Sequence, residues 1–404
     1  MNPKISYFKF CKSIRKGIKQ FQQHLYKERK KKMNKKIKVL IVDDSPLVRQ
    51  LINRILSSEK DIEVVGTALD GKYAIEKVKL LSPDVITLDI EMPNMDGLTF
   101  LEYLMKTRPL PCVMISATTS RGANNTIKAL SLGAVDYILK PDNIVENIDK
   151  IRDIILSKVR IASHANLRNL RPSASRLFGK KISKSSDGIK KSNDKISISL
   201  TQSKSTISET KKYDKNNSLI AIGSSTGGTE AISYILSRLK NNLPPILITQ
   251  HMPKHFTAAF SERLDRITDF TCVEAKNEMQ LKKGHVYVAP GSYHVKVKKT
   301  INAGYILLSN APAVNKHRPS ADVMFKSISS EYKDRAVGII LTGMGRDGAD
   351  GLSLMKGEGA LTIAQDEESS VIFGMPKEAI KIGAATKVLS LRDITREIYQ
   401  TFYF

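Results

Sequence analysis

The stretch "SLIAIGSSTGGTEAISYILSRL", residues 218–239, passes from an apolar strand through hydroxyls and glycines into a helical pattern. Two chemistries compete for such a junction. One is a phosphate cradle and the other a nucleophilic serine. A Walker loop needs G-x-x-x-x-G-K-[ST], and a dinucleotide fingerprint needs G-x-G-x-x-G. Gly223, Gly227 and Gly228 fit neither spacing, and no lysine follows them. The nucleophile reading therefore leads, and it requires a base and an orienting acid.

Both lie downstream, again at strand ends. "PILITQHMP" (245–253) delivers His251, and "GIILTGMGRDG" (338–348) delivers Asp347 in a glycine-rich turn. Ser225 follows "LIAIG" in the same way, so one carboxyl edge of a parallel sheet could gather all three. Glycines at 227 and 228 let main chain approach a substrate. A helix starting there turns N–H groups towards a developing oxyanion. The competing view of a serine at this position is an ordinary helix N-cap. His255, His285, His294 and His317 rival His251, with His317 of "HRPSAD" (317–322) ranked second as base. His251 and His255 do not suggest a metal pair, because Pro253 lies between them and no H-E-x-x-H glutamate is present.

Upstream, strand and helix signals also alternate. "IKVLIVDD" (37–44) precedes "SPLVRQLINRILSS" (45–58), which opens with a cap-like Ser45 and Pro46 in its first turn. "IEVVGTAL", "PDVITLDI", "PCVMISA" and "VDYILK" follow as further strands. The βα repetition predicts a parallel sheet with helices on both faces and a site at the carboxyl strand ends. Asp43, Asp44, Asp89, Ser116 and Lys140 all occupy such ends. Three converging carboxylates call for a divalent cation, and Mg²⁺ suits oxygen ligands of this kind. The lysine and hydroxyl suit phosphate oxygens.

The 404 residues carry a formal charge of +25, which at first suggests nucleic acid. Its location says otherwise. Residues 1–36 hold 13 Lys/Arg against one acid, and residues 162–217 hold 13 against four. The first segment reads either as a basic amphipathic helix, with Phe10, Ile14, Phe21 and Leu25 on one face for a membrane surface or a partner, or as a disordered tail or over-extended start, since "MNKKIKVLIVDDS" from Met33 would open a domain directly. The second, with 12 serines in 56 residues, reads as a flexible linker. The division expected is thus 1–36 extension, 37–161 first domain, 162–217 linker and 218–404 second domain. Cys11, Cys112 and Cys272 form no CxxC pair, which argues against zinc or a disulfide framework and fits a reducing cytoplasm. No apolar run reaches the roughly 18 residues of a membrane span.

"VDD", "LDIEMPNMDG", "ISA" and "LKP" closely resemble the receiver domain of two-component signalling. With "GSSTGG", "QHMP", "HRPSAD", "LTGMGRDG" and "VIFGMP" after a linker, residues 37–400 resemble the chemotaxis response regulator protein-glutamate methylesterase/glutaminase (CheB) family. That resemblance implies two doubly wound α/β domains, a flavodoxin-like receiver and a Rossmann-like methylesterase domain. It implies Asp89 as phosphoryl acceptor from a histidine kinase and Mg²⁺ held by Asp43, Asp44, Asp89 and the main chain at Glu91. Ser116 and Lys140 would sense the phosphoryl group. Ser225 would be the nucleophile, His251 the base, Asp347 the orienting acid, and Thr226 and Met344 oxyanion or substrate contacts. The implied substrates are methyl-accepting chemotaxis receptors, and the esterase site needs no cofactor. Ser224 departs from the small residue, usually alanine, common in the family, so Ser224 and Ser225 compete for the aligned position. The basic extension and long linker also depart. A receiver-controlled DNA-binding regulator or a non-catalytic scaffold is the alternative.

Overall fold

The structure, a computed structural model, describes residues 36–117, 119–140, 148–170 and 213–403. The basic extension up to residue 35 and most of the serine-rich segment lie outside the described residues. These residues fall into two compact units, one reaching Thr118 and resuming at Ala134–Ala165, the other holding Thr119–Gly133 and Asn166–Phe404.

The N-terminal elements are β1 (Ile37–Val42), α1 (Pro46–Ser57), β2 (Ile62–Ala68), α2 (Gly71–Leu81), β3 (Val85–Asp89), α3 (Gly97–Thr107), β4 (Cys112–Ser116), α4 (Ser120–Leu132), β5 (Asp136–Leu139) and α5 (Ile148–Ser163). The five strands form a parallel sheet in the order β2-β1-β3-β4-β5. β3 and β4 are buried along their whole length, as strands covered on both faces must be. The chain reverses direction across the sheet between β1 and β3, so their carboxyl ends flank a crevice. α1 begins as its sequence predicts: the Ser45 hydroxyl accepts from the Val48 N–H, and Pro46 opens the first turn. On α5, Arg160 pairs with Glu59 and Asp61, tying the helix to the residues that lead into β2.

The second unit continues with β6 (Leu219–Ser224), α6 (Gly228–Leu236), β7 (Ile246–Gln250), α7 (Phe256–Ile267), β8 (Thr271–Glu274), β9 (His285–Val288), β10 (His294–Lys299), β11 (Gly304–Ser309), α8 (Ala321–Tyr332), β12 (Ala336–Ile340), α9 (Ala349–Gly357), β13 (Leu361–Gln365), α10 (Met375–Lys381), β14 (Lys387–Leu389) and α11 (Leu391–Tyr403). Seven strands make an all-parallel sheet, β14-β13-β12-β6-β7-β9-β8. β6 lies between β7 and β12, so the chain leaves it on one side and later returns to its other side, and the switch point falls at its carboxyl end. Phe256, Phe260, Tyr287 and Phe325 are the largest side chains of its core.

Two differences from the sequence reading stand out. The antiparallel pair β10–β11 was not anticipated. In "HVKVKK" the valines are buried and Lys296 and Lys298 exposed, so a half-buried ribbon alternates where the sheet strands are continuously apolar. Regular structure also extends past residue 162. Leu167–Leu170 form a 3₁₀ turn, and Leu170 is buried despite the polar run that follows it.

Candidate functional site

The junction that opened the sequence is the nucleus of the site in the second unit. β6 ends at Ser224 and α6 starts at Gly228, with Gly227 in the left-handed region at φ 78°. The neighbouring serines have different environments. Ser224 is fully buried and donates to Gln250 Oε1 at 2.7 Å. Ser225 is half-buried, and its carbonyl accepts from Gln250 Nε2 at 2.9 Å. Gln250 thus clamps one serine inward while pinning the backbone of the next. Gly228 is required here, because an added Cβ would sit 2.2 Å from Gln250 Oε1 and 2.6 Å from Ser224 Cβ.

His251 follows β7, and its backbone N–H donates to the Ser224 carbonyl at 3.1 Å. Its Nε2 lies 2.8 Å from Asp347 Oδ2. A carboxylate can only accept, so Nε2 carries the proton and Nδ1 is the basic nitrogen. Nδ1 is buried and has no hydrogen-bond partner within the protein. Asp347 is itself heavily supported. Ser320 Oγ (2.6 Å) and Asn315 Nδ2 (3.0 Å) donate to its Oδ1, and the Ala321 N–H (2.6 Å) donates to its Oδ2. Ser320 and Ala321 sit at the N-terminus of α8, where the helix dipole favours an anion. Burial by itself would raise the Asp347 pKa, but hydrogen bonding to His251, Asn315 and Ser320 more than offsets it and holds the carboxyl well below the usual range.

The structure brings Ser225, His251 and Asp347 to one sheet edge through the carboxyl ends of β6, β7 and β12. Thr226 is buried, and its carbonyl accepts from the Thr342 hydroxyl at 3.0 Å. Met344 is half-exposed in the turn after β12. The Ser225 N–H is committed to the Thr342 carbonyl at 3.0 Å, so an oxyanion must be met by other amides.

Among the rival histidines, His294 is buried between the Pro312 carbonyl and the Ser320 N–H, a structural bridge. His255 is exposed ahead of α7. His285 bonds the Lys283 carbonyl. His317 stacks face to face on His251, with ring centroids 3.7 Å apart and planes 8° from parallel. Sequence reasoning missed Gln250, Asn315 and Ser320 as supports. Only Gln250, adjacent to His251 at the strand end, left a local signal.

The first unit has its own cluster. Carboxylate oxygens of Asp43, Asp44 and Asp89 lie within 4.8 Å of one another. Asp43 and Asp89 are buried, and Asp44 is exposed. Lys140 Nζ is 2.7 Å from Asp89 Oδ2 and 3.3 Å from Asp43 Oδ2. Burial raises the Asp89 pKa to about 6, the Lys140 hydrogen bond opposes it, and repulsion from Asp43 adds to it. Ser116 is buried at the end of β4, and its carbonyl receives the Lys140 N–H at 2.8 Å. The Glu91 side chain is exposed and outside the carboxylate cluster. The buried Asp43 Oδ2 faces the Lys140 ammonium at 3.3 Å, and the oxygen donors of the three carboxylates suit a hard divalent ion such as Mg²⁺.

The fold and the two sites define a class: a receiver domain joined to an α/β hydrolase domain. Residues 39–152 match the family model described as response regulator receiver domain, and residues 220–398 match that described as CheB methylesterase. A protein-glutamate methylesterase/protein-glutamine glutaminase of Hydrogenovibrio crunogenus is 44% identical over 371 residues, covering 90% of this chain and 98% of that protein. A namesake from Nitrosomonas europaea is 46% identical over 366 residues, covering 90% and 96%. The chain belongs to the protein-glutamate methylesterase/protein-glutamine glutaminase family. Among the described residues no helix is long and apolar enough to cross a membrane.

Proposed function

We propose that this chain is a phosphorylation-activated protein-glutamate methylesterase that also deamidates glutamines, acting in the cytoplasm on methyl-accepting chemotaxis receptors. Residues 37–161 serve as the receiver and 218–404 as the esterase, with 1–36 and 162–217 as extension and linker. The observation that carries the reading is the orientation of His251. Asp347 fixes Nε2, and the buried Nδ1 is left as the proton acceptor.

Ser225 Oγ attacks the γ-ester carbonyl carbon of a receptor glutamate while His251 Nδ1 takes the hydroxyl proton. The carbonyl π bond opens to an oxyanion, which main-chain amides at Thr226 and Met344 receive. Collapse expels the methoxy group, and His251 returns its proton to release methanol. Water, deprotonated by His251, then attacks the acyl-serine. Collapse of that second intermediate restores Ser225 and frees the glutamate carboxylate. With a glutamine side chain the leaving group is ammonia. Asp347 stays ionised throughout and stabilises the imidazolium.

In the receiver, Asp89 takes a phosphoryl group from a histidine kinase. Asp43, Asp44, Asp89 and the main chain at Glu91 would hold Mg²⁺, which when bound offsets carboxylate and phosphoryl charge. Lys140 and Ser116 contact phosphoryl oxygens and favour the activated state. A preference of about 1.4 kcal/mol for one state shifts the ratio tenfold.

The test is methanol release from methylated receptor, with and without a small phosphodonor. Wild type should be stimulated by the donor. Ser225→Ala should lose more than the roughly 10²–10³ in rate that a single oxyanion donor supplies. Full activity in that variant would sink the assignment.

A further inference from the structure

A cavity of about 500 Å³ opens at the amino edge of the second sheet, away from Ser225. Ser218, just before β6, and Pro245, just before β7, both line it. At about 3.3 Å per strand residue, β6 separates this edge from Ser225 by about 20 Å.

The lining is strongly basic. Lys215, Lys282, Lys283 and Lys299 contribute to it, against one acid, Asp214. The Asp214 carboxylate accepts the Asn216 N–H at 2.9 Å, and nearby Glu331 accepts the backbone N–H of Lys299 at 2.8 Å. Two of the ammonium groups are held in place rather than waving in solvent. Lys215 Nζ sits 4.0 Å from the Tyr403 ring centroid. Lys299 Nζ lies 5.0 Å from that of Tyr332 and donates to the Asn217 side chain. Like charge is gathered where chain repulsion would disperse it. Burial and the neighbouring Lys283 hold the Lys215 ammonium below the usual lysine range, and burial with Arg335 does the same to Lys299.

An independent observation points the same way. Ser218 is 2% exposed, and its hydroxyl has no hydrogen-bond partner in the protein. Leaving a buried hydroxyl unsatisfied is costly, and an acceptor oxygen reaching it from the cavity would remove that cost. The walls also offer apolar surface. Leu281 and Tyr332 line it, as does Ile301, fully exposed at the β10–β11 turn. The volume falls in the range of about 300–1,000 Å³ typical of small-molecule sites and exceeds what one phosphate fills.

We propose that this cavity binds a small phosphate-bearing organic anion of nucleotide size, its phosphate oxygens meeting Lys215, Lys299 and the Ser218 hydroxyl. The experiment is calorimetric titration of the full chain, without divalent ions, with ATP and separately with tripolyphosphate. A K215Q/K299Q variant and a K326Q control, changed on α8 outside the cavity lining, are titrated alongside. Saturable one-to-one binding of ATP is expected in wild type and control, with at least about a tenfold loss in the double variant, since it loses two charge-assisted hydrogen bonds. ATP should raise the melting temperature of wild type but not of the double variant. Without ligand the variant should melt no lower, because removing crowded charge relieves repulsion. Tighter binding of ATP than of tripolyphosphate would place the organic moiety against the apolar wall. Three results would overturn the proposal: no saturable binding by wild type, equal binding by the double variant, which would move the ligand to the basic segments outside the cavity, or tripolyphosphate binding more tightly than ATP, which would leave only a charge sink.

Discussion

Two adjacent serines with the same chemistry are separated by their partners. Ser224 spends its hydroxyl on Gln250, whereas Ser225 is half-buried and meets Gln250 only through its carbonyl. Ser224→Ala should therefore retain esterase activity while costing about 1–3 kcal/mol of stability, because Gln250 Oε1 loses a buried donor. Methanol release and urea unfolding on the same preparation check both halves, and loss of activity without loss of stability would reverse the assignment of the two serines. His317 is a positioning residue in this scheme, since its ring holds the face of His251. His317→Ala should lower kcat about tenfold or more with KM nearly unchanged, as misplaced catalytic groups do. His317→Phe, which keeps a stacking face, should restore most of the rate and leave the pH profile where it was. A shifted pH profile in the Phe variant would instead make His317 a proton carrier.

At the scale of elements, the strand-to-helix junction tolerates no side chain at Gly228. Gly228→Ala must push Gln250 or Ser224 aside, so it should both destabilise the second unit and abolish turnover, read by thermal unfolding and by methanol release. The carboxyl ends of β1 and β3 set the pH behaviour of the receiver. Asp89 titrates at about 6 in the folded state and at the ordinary value of 3.8 when unfolded. Between those values the folded state binds the extra proton. The stabilisation is therefore present at low pH and lost as pH rises through about 6. Asp89→Asn removes that buried charge and should raise receiver stability near neutral pH by about 1–3 kcal/mol. Melting curves of both forms against pH should converge below the unfolded pKa; curves that stay parallel would show that Asp89 is not the group responsible. Phosphorylation by a small donor requires the carboxylate and should accelerate as pH passes through 6 in wild type.

At the scale of the whole molecule, phosphorylation of the receiver is expected to raise esterase turnover. Asp89→Asn should keep basal methanol release and lose stimulation by phosphodonor, since the variant cannot accept the phosphoryl group but retains Ser225, His251 and Asp347. Stimulation equal to wild type would disconnect the receiver from the esterase. Charge is distributed at this scale as well. The formal +25 concentrates in residues 1–36 and 162–217, where few acids offset the lysines and arginines. Most of that charge lies outside the described residues; of the cavity's lysines only Lys215 belongs to the 162–217 segment, and Lys282, Lys283 and Lys299 come from the second domain.

The sequence alone determined the alternation of apolar strands and amphipathic helices, and with it the parallel sheets, because that period follows from local geometry. It also placed Asp43, Asp89, Lys140, Ser225, His251 and Asp347 at strand ends, where a parallel sheet must gather them. Only the tertiary structure decided which contacts those residues make. Gln250 chooses between the serines, Asn315 and Ser320 hold Asp347, and His317 covers His251 from far along the chain. The β10–β11 ribbon escaped notice because its lysines interrupt the apolar run, and its alternation has meaning only once one face is buried. Local pattern sets which element forms. Partner, distance and burial belong to the fold, since they join residues that no sequence window contains.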